Sequence, residues 1–376
     1  MLQLFIFIII CAGSPPYGST EAKYDSQDNA ISTDISVLRE NGGRVDWSHQ
    51  LNRIAFDKLG ADGYYDIYVM SPDGTNETCL TCDSSELPNK NIGNPAWHPS
   101  GQYIVFQVEK AEHNGYPALA NPGFGINNDL YMMDLESDRL YRITDVADGM
   151  GVLHPHFSHD GSKLLWAERV NDNDWIGSPH FGKWVLKILD IDQFLMDPSI
   201  VAKEYNPLGK LDIVYEGHGF SPDDQSIIFT AQVYQTKLTR IWYDIYTFNL
   251  KEQKLRRITR SPHEFDEHAH YSPNGEWISW VSSLNCECDP HDFDDRNLNV
   301  WLMRTDRYQR YQLTFFNQPG HPHFLEDRSL AADHAWSPDG KSIVLFVLKA
   351  IGYRPFNGSI LLLKLNYDSS RLDVSQ

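Results

Sequence analysis

The stretch Ala96-Trp97-His98-Pro99-Ser100-Gly101-Gln102-Tyr103-Ile104-Val105-Phe106 recurs in altered form along this 376-residue chain. Each copy joins an aromatic residue, at the end of one short strand, to a turn and then to an apolar second strand. In the last copy the turn reads Ser337-Pro338-Asp339-Gly340, where Pro presets φ and Gly accepts a positive φ. The repeat aromatics stand at positions 47, 97, 157, 220, 271 and 336. Six similar structural units are therefore predicted.

Two further segments follow the turn in four of the copies. The first alternates apolar and polar residues, as in Asp66-Ile67-Tyr68-Val69-Met70, and the second ends in Leu-Thr or Ile-Thr, as in Leu80-Thr81. Four strands per unit without helical periodicity are typical of a propeller blade. A bare blade takes about 40 to 45 residues, so the wider spacing here places the surplus in loops. The sequence predicts an all-β fold, a six-bladed β-propeller of four-stranded antiparallel blades.

Composition limits the classes of partner. The chain has 51 acidic and 32 basic side chains and a formal net charge of −19. Nucleic-acid binders normally carry a basic surface, and anionic membrane surfaces attract basic segments, so we expect neither partner. An apolar fraction of 41%, with 12% aromatic residues, is enough for a large core and excludes general disorder.

The termini suggest how the chain is organised. Residues 4–12 form an apolar run that is shorter than the roughly 20 residues of a membrane span but fits a secretory signal peptide. We therefore expect a signal peptide at 1–22, a linker with a closing strand at 23–43, a propeller at 44–366 and a tail at 367–376. Lipidation at Cys11 is disfavoured because Ile10 stands where a small residue is expected. The mature chain would then be secreted or periplasmic, monomeric and without a transmembrane span.

Two features leave alternatives open. The ring could be closed by residues 34–39, a non-local strand that would cover the open edge of the last blade, or by residues 370–374. Cys79, Cys82, Cys286 and Cys288 could be free, could pair locally, or could together hold zinc if two distant segments met.

The repeat resembles the β-propeller repeats of TolB over residues 44 to 366. The resemblance lies in Trp/Phe-Ser-Pro-Asp-Gly, an Ile-x-Phe strand, an Ile-Tyr-x-Met strand and a terminal Leu-Thr. Such repeats occur in periplasmic scaffold proteins, in non-catalytic propellers of serine peptidases and in oligogalacturonate lyases. The chain has no Gly-x-Ser-x-Gly nucleophile elbow. The resemblance implies an exported scaffold that binds a protein, a small ligand or an oligosaccharide through its channel face, or a metal-dependent polysaccharide lyase.

Histidines cluster where the first strand of each blade should line the channel. Positions two apart on a strand point the same way, so His154 with His156, and His268 with His270, are candidate metal ligands. Imidazole suits several divalent metals, and we consider Mn, Zn or Ca. A polar channel lining without a metal is the alternative interpretation.

Other residues complete the candidate site. His218, His334 and Arg44 are candidate catalytic groups, although His218 and His334 are offset by one residue from the pairs and need a bulge to face the channel. His321 and His323 form a weaker metal candidate, because Gln318-Pro319-Gly320-His321-Pro322-His323 resembles the Gln-x-x-His-x-His arrangement of oligogalacturonate lyases. The long loops between second and third strands supply the candidate ligand-binding residues Glu112, His113, Tyr116, Trp175 and His180.

Overall fold

A computed structural model shows six four-stranded antiparallel sheets arranged as blades, which confirms the predicted six-bladed propeller. The residues that the structure describes are 31–115, 120–171, 182–209, 213–235, 241–260, 264–289, 295–306, 309–326, 328–349 and 358–367. Within these ranges the one helix is α1 (Ile191–Met196), between the third and fourth strands of blade three, where the Asp190 side chain accepts a hydrogen bond from the Gln193 amide. No helix in these ranges is long and apolar enough to cross a membrane.

The strands follow the order of the repeats. Blades one to three contain β2 (Val45–Ser48), β3 (Arg53–Leu59), β4 (Tyr65–Met70), β5 (Thr78–Cys79), β6 (Ile92–Trp97), β7 (Tyr103–Glu109), β8 (Asn128–Asp134), β9 (Arg139–Arg142), β10 (Gly151–Phe157), β11 (Lys163–Asn171), β12 (Lys183–Asp190) and β13 (Lys203–Tyr205). Blades four to six contain β14 (Tyr215–Phe220), β15 (Ser226–Gln235), β16 (Ile241–Asn249), β17 (Lys254–Arg257), β18 (Asp266–Tyr271), β19 (Trp277–Ser282), β20 (Asn299–Arg304), β21 (Arg310–Gln312), β22 (Ser329–Trp336), β23 (Ser342–Lys349), β24 (Gly358–Tyr367) and β1 (Ile31–Gly42).

Side-chain hydrogen bonds explain the repeated turn. The serine after the aromatic donates to the acidic residue two positions on, as Ser337 Oγ does to Asp339 Oδ1 at 2.6 Å. Gly340 then adopts a φ of +66°, a conformation that costs glycine little. The sequence pattern is thus a compact turn that joins the first strand of a blade to the second.

The terminal threonine of each Leu-Thr or Ile-Thr pair fixes the third strand. Thr144 Oγ1 donates to Asp129 Oδ1 at 3.0 Å and accepts the Leu130 amide at 2.8 Å. Equivalent bonds join Thr81 to Asp66, Thr259 to Asp244 and Thr314 to Asn299. In these four blades the threonine therefore ties the end of the blade to the start of its third strand.

The core lies between neighbouring blades. Fully buried aromatic side chains such as Trp166, Trp184 and Trp280 fill these spaces, because each sheet presents apolar residues to both of its neighbours. Burial of this kind is the main favourable term in folding. It fixes the blades around the axis, where the first strands bring their side chains together.

The ring is closed by the non-local strand. β1 pairs antiparallel with β24, from Ile31 opposite Tyr367 to Gly42 opposite Gly358. Thr33 Oγ1 also donates to the backbone oxygen of Leu313 at 2.6 Å, which ties this strand to blade five. The cysteines pair locally, Cys79 with Cys82 and Cys286 with Cys288. Residues 370–374 lie outside the described ranges.

Candidate metal centre at the propeller axis

A β-bulge in the first strand turns its side chains toward the axis in blades two to six. The register of pairing shifts between Leu153 and His156 and between Glu267 and His270. Within these bulges His154 and His268 have φ values of +51° and +52°, and Asn94 has +53° at the same repeat position in blade two. Outside glycine, Asn, Asp and His are the residues enriched in this left-handed region. The bulges therefore suit the residue types found there.

The bulges bring six histidines together. The ring centroids of His154 and His268 are 5.2 Å apart, and each ring lies within 5.7 Å of the His218 ring. His156 and His270 form a second contact at 5.3 Å, and His334 lies 4.8 Å from His270. The structure thus places both histidine pairs, together with His218 and His334, in one cluster on the axis.

Of the two groups of possible metal donors among the described residues, the buried one consists of His154, His268 and Asp333. One donor atom from each lies within 4.8 Å of the others, and all three residues are buried. Asp333 Oδ1 is 3.4 Å from His154 Nδ1 and 3.7 Å from His268 Nδ1. Two imidazoles and one carboxylate at these separations could hold a metal ion.

Asp333 did not stand out among the sequence candidates. It occupies the same repeat position as His154 and His268, three residues before the repeat aromatic. That shared repeat position was the sequence signal that could have identified Asp333 as a metal ligand. A single aspartate in an acid-rich chain is, however, weak evidence for such a role. Only the ring of blades shows that the first strand of blade six lies beside that of blade five and opposite that of blade three at the axis.

Burial disfavours the charged form of five histidines in the cluster, and the neutral form is the one that binds metals. Burial lowers the pKa of His156 to about 3 and that of His334 to about 4. Burial also lowers the pKa values of His218, His268 and His270. Burial alone would raise the pKa of Asp333, but the interactions with His268, His154 and Arg44 outweigh it and lower that pKa. The ionised form of the Asp333 carboxyl is therefore favoured.

His218 and His334 each use one ring nitrogen within the protein. His218 Nε2 lies 2.6 Å from Thr230 Oγ1, and its Nδ1 is buried without a hydrogen-bond partner among the described residues. His334 Nε2 lies 2.8 Å from Ser279 Oγ, and its Nδ1 lies 3.3 Å from the Ala332 oxygen. His218 is thus the better placed of the two to offer a free lone pair.

Arg44 is held beneath the cluster. Its Nη1 lies 3.7 Å from Asp57 Oδ1, and both side chains are buried. Asp57 also accepts the backbone amides of Arg44 and Asn94. Asp57 thereby connects the first strands of blades one and two and is the ion-pair partner of Arg44.

A cavity of about 330 Å³ opens at the end of the first strands. All six blades line it, and His156, His218, His270, His334 and Asp333 are among the lining residues. Two carboxylates, Asp46 and Asp333, line it, whereas the described lining includes no Lys or Arg. The opening is at the face of the first turns, opposite the ends of the second strands.

The two described loop candidates, Glu112 and His113, are not among the residues that line the cavity. Glu112 is exposed, and His113 Nδ1 is 2.7 Å from Glu109 Oε1 in a local ion pair. Tyr116, Trp175 and His180 fall outside the described residues. Their predicted role in ligand binding remains a prediction.

His321 and His323 are at a different place in the fold. The His321 ring stacks on Phe315 with centroids 4.2 Å apart, and it lies 4.5 Å from the His323 ring. His323 Nε2 is 3.1 Å from the backbone oxygen of Thr33, on the outermost strand of blade six. The Gln-x-x-His-x-His segment therefore packs against the closing strand.

Solved structures with similar folds include two TolB proteins. TolB from Acinetobacter baumannii is 18% identical, with a TM-score of 0.53 over 84% of this chain, and this chain covers 64% of its length. A protein assigned as TolB from Agrobacterium tumefaciens is 17% identical, with a TM-score of 0.53 over 90% of this chain and 98% of its own. An oligogalacturonate lyase in complex with manganese is 14% identical, with a TM-score of 0.48 over 92% and 96% of the two chains. The fold is thus a TolB-like propeller.

Neither a protein-family model nor a curated protein sequence matches the chain. Likenesses at these identities show the fold alone, since one fold supports many functions. What the chain does must therefore be argued from the axial site.

Proposed function

We propose that this protein is a metal-dependent, ligand-binding propeller, in which His154, His268 and Asp333 hold a divalent metal ion on the axis. The observation that carries the proposal is the set of three buried donor atoms within 4.8 Å of one another. Three protein ligands leave coordination positions open for a water or a bound ligand. His218 Nδ1, buried and without a partner in the described residues, is a fourth donor close to the group.

The donor set favours zinc or manganese over calcium. Calcium takes six to eight oxygen ligands, whereas two of the three donors here are imidazole nitrogens. Imidazole and carboxylate together suit transition metals. A bound ion would polarise a ligand group that enters from the cavity.

The cavity supports a small ligand. Its volume of about 330 Å³ is at the lower end of the range for small-molecule sites. Asp46 and Asp333 bring negative charge, and no cationic side chain in the described lining offsets it. A divalent metal ion held by Asp333 would offset these two charges, so the small volume of the cavity, rather than its charge, favours a small ligand over a polymer.

Export is part of the same proposal. The apolar run at residues 4–12, followed by small and turn-forming residues, supports a signal peptide at 1–22. An oxidising compartment would also agree with the two local cysteine pairs.

The proposal is tested by calorimetric titration of chelator-treated protein with Zn²⁺, Mn²⁺ and Ca²⁺. We expect one Zn²⁺ or Mn²⁺ per chain and weaker binding of Ca²⁺. His154→Asn and His268→Asn should abolish tight binding, whereas His159→Asn, at an exposed turn where His159 pairs with Asp224, should leave it unchanged. Absence of binding to the wild type, or equal binding by all variants, would contradict the proposal.

A further inference from the structure

Two glutamates lie behind the histidines of the proposed metal site. Glu216, on β14, places Oε2 3.9 Å from His154 Nε2. Glu267, on β18, places Oε2 3.5 Å from His268 Nε2. Each imidazole therefore lies between Asp333 on its Nδ1 side and a glutamate on its Nε2 side.

The repeat itself does not require these glutamates. They occupy the position four residues before the repeat aromatic in blades four and five. The other four blades have Gly43, Gly93, Leu153 and Ala332 at that position. A small or apolar residue is thus compatible with the strand, and a buried carboxylate there is costly unless it is paired.

The two glutamates also interact with each other. The Glu216 side chain is buried, and burial together with the neighbouring Glu267 carboxyl raises the pKa of Glu216. The charge of Arg296 interacts with that of Glu267, and Arg296 lies over the Phe265 ring at 3.7 Å. Neither glutamate is among the residues that line the cavity.

A neutral imidazole has one N–H, and a metal ligand must present the other nitrogen as a lone pair. An acceptor at Nε2 favours the tautomer in which Nδ1 is free to bind the metal. Carboxylates in this outer position typically account for about 10- to 100-fold in metal affinity.

We propose that Glu216 and Glu267 are positioning residues, which hold His154 and His268 as Nε2–H tautomers with Nδ1 directed at the metal. The inference rests on the proposed metal site. It assigns a role to two residues that do not themselves contact the ion.

The test compares Zn²⁺ affinity and histidine tautomers in Glu216→Gln, Glu267→Gln and the control Glu168→Gln. Glu168 is also largely shielded and accepts a hydrogen bond from Trp166 Nε1, at a different place in blade three. Each of the first two variants should bind Zn²⁺ about 10- to 100-fold more weakly, and the control should match the wild type. Urea unfolding of the metal-free proteins will show whether either variant is destabilised.

A second readout separates positioning from a general structural role. In the Zn²⁺-loaded wild type, ¹⁵N NMR should show His154 and His268 protonated at Nε2, with assignments from His154→Asn and His268→Asn. If the wild type binds no Zn²⁺, the metal site itself is wrong. If the wild type binds and both glutamate variants bind equally well with unchanged ¹⁵N shifts, only the positioning role is overturned.

Discussion

Replacing His154 by asparagine should separate the proposed metal site from the fold. The backbone at His154 has a φ of +51°, and Asn94 has +53° at the same repeat position of blade two. Asparagine adopts this conformation readily, so the metal-free variant should unfold within about 0.5 kcal/mol of the wild type. Alanine at a positive φ would cost about 1 kcal/mol or more, which makes His154→Ala a less informative variant.

The metal-bound proteins should differ much more. At a free metal concentration 100 times Kd, binding stabilises the wild type by about 2.7 kcal/mol. Outer-sphere partners alone contribute about 10- to 100-fold in affinity, so losing a direct ligand should weaken binding by at least about 100-fold. The variant then gains only about 0.4 kcal/mol at the same concentration.

Urea unfolding with and without Mn²⁺ measures this difference. We expect a metal-dependent gain about 2.3 kcal/mol smaller in His154→Asn than in the wild type. His159→Asn should retain the full gain. The reasoning is refuted if His154→Asn is stabilised by Mn²⁺ as strongly as the wild type, or if it is already much less stable without metal.

Two further predictions concern the fold. Ile31 is buried on the closing strand, so Ile31→Ala should lower the free energy of unfolding by about 2 to 4 kcal/mol. Val37, on the same strand, is 55% exposed, so the control Val37→Ala should change it by less than about 0.5 kcal/mol. Equal effects of the two variants in urea unfolding would count against closure by β1. Burial raises the pKa of Asp244 to about 6 despite its ion pair with Arg257. The folded protein therefore holds the Asp244 proton more tightly than the unfolded chain does, and the stability that comes from this is complete below about pH 4 and is lost as pH rises through about 6. Asp244→Asn should therefore gain stability relative to the wild type between pH 4 and 7, by at most about 3 kcal/mol, and a pH-independent difference would contradict this.

The fold was predictable from the sequence because its signals are local and repeated. The turn after each aromatic and the Thr of each Leu-Thr pair make hydrogen bonds within one blade, such as Ser337 to Asp339 and Thr144 to Asp129. Six repetitions of weak local signals give a reliable architecture. Ring closure by β1 was one of two alternatives, because pairing between residues over 300 positions apart leaves little local trace.

The candidate site was predictable only in part. Spacing indicated that His154 and His268 face the axis, since both stand at one repeat position. Spacing alone placed His218 and His334 on the opposite side of their strands, because it does not reveal a bulge such as that between Gly217 and Gly219. The long loops between second and third strands predicted a pocket among their own residues, whereas the cavity opens at the short first turns.

Anomalous diffraction from crystals grown with Zn²⁺ would test the central claim most directly. We predict one strong zinc peak on the propeller axis, about 2.0 to 2.2 Å from nitrogen atoms of His154 and His268 and from an oxygen of Asp333. The absence of a peak at this position, or zinc bound only at His321 and His323 beside the closing strand, would contradict the account.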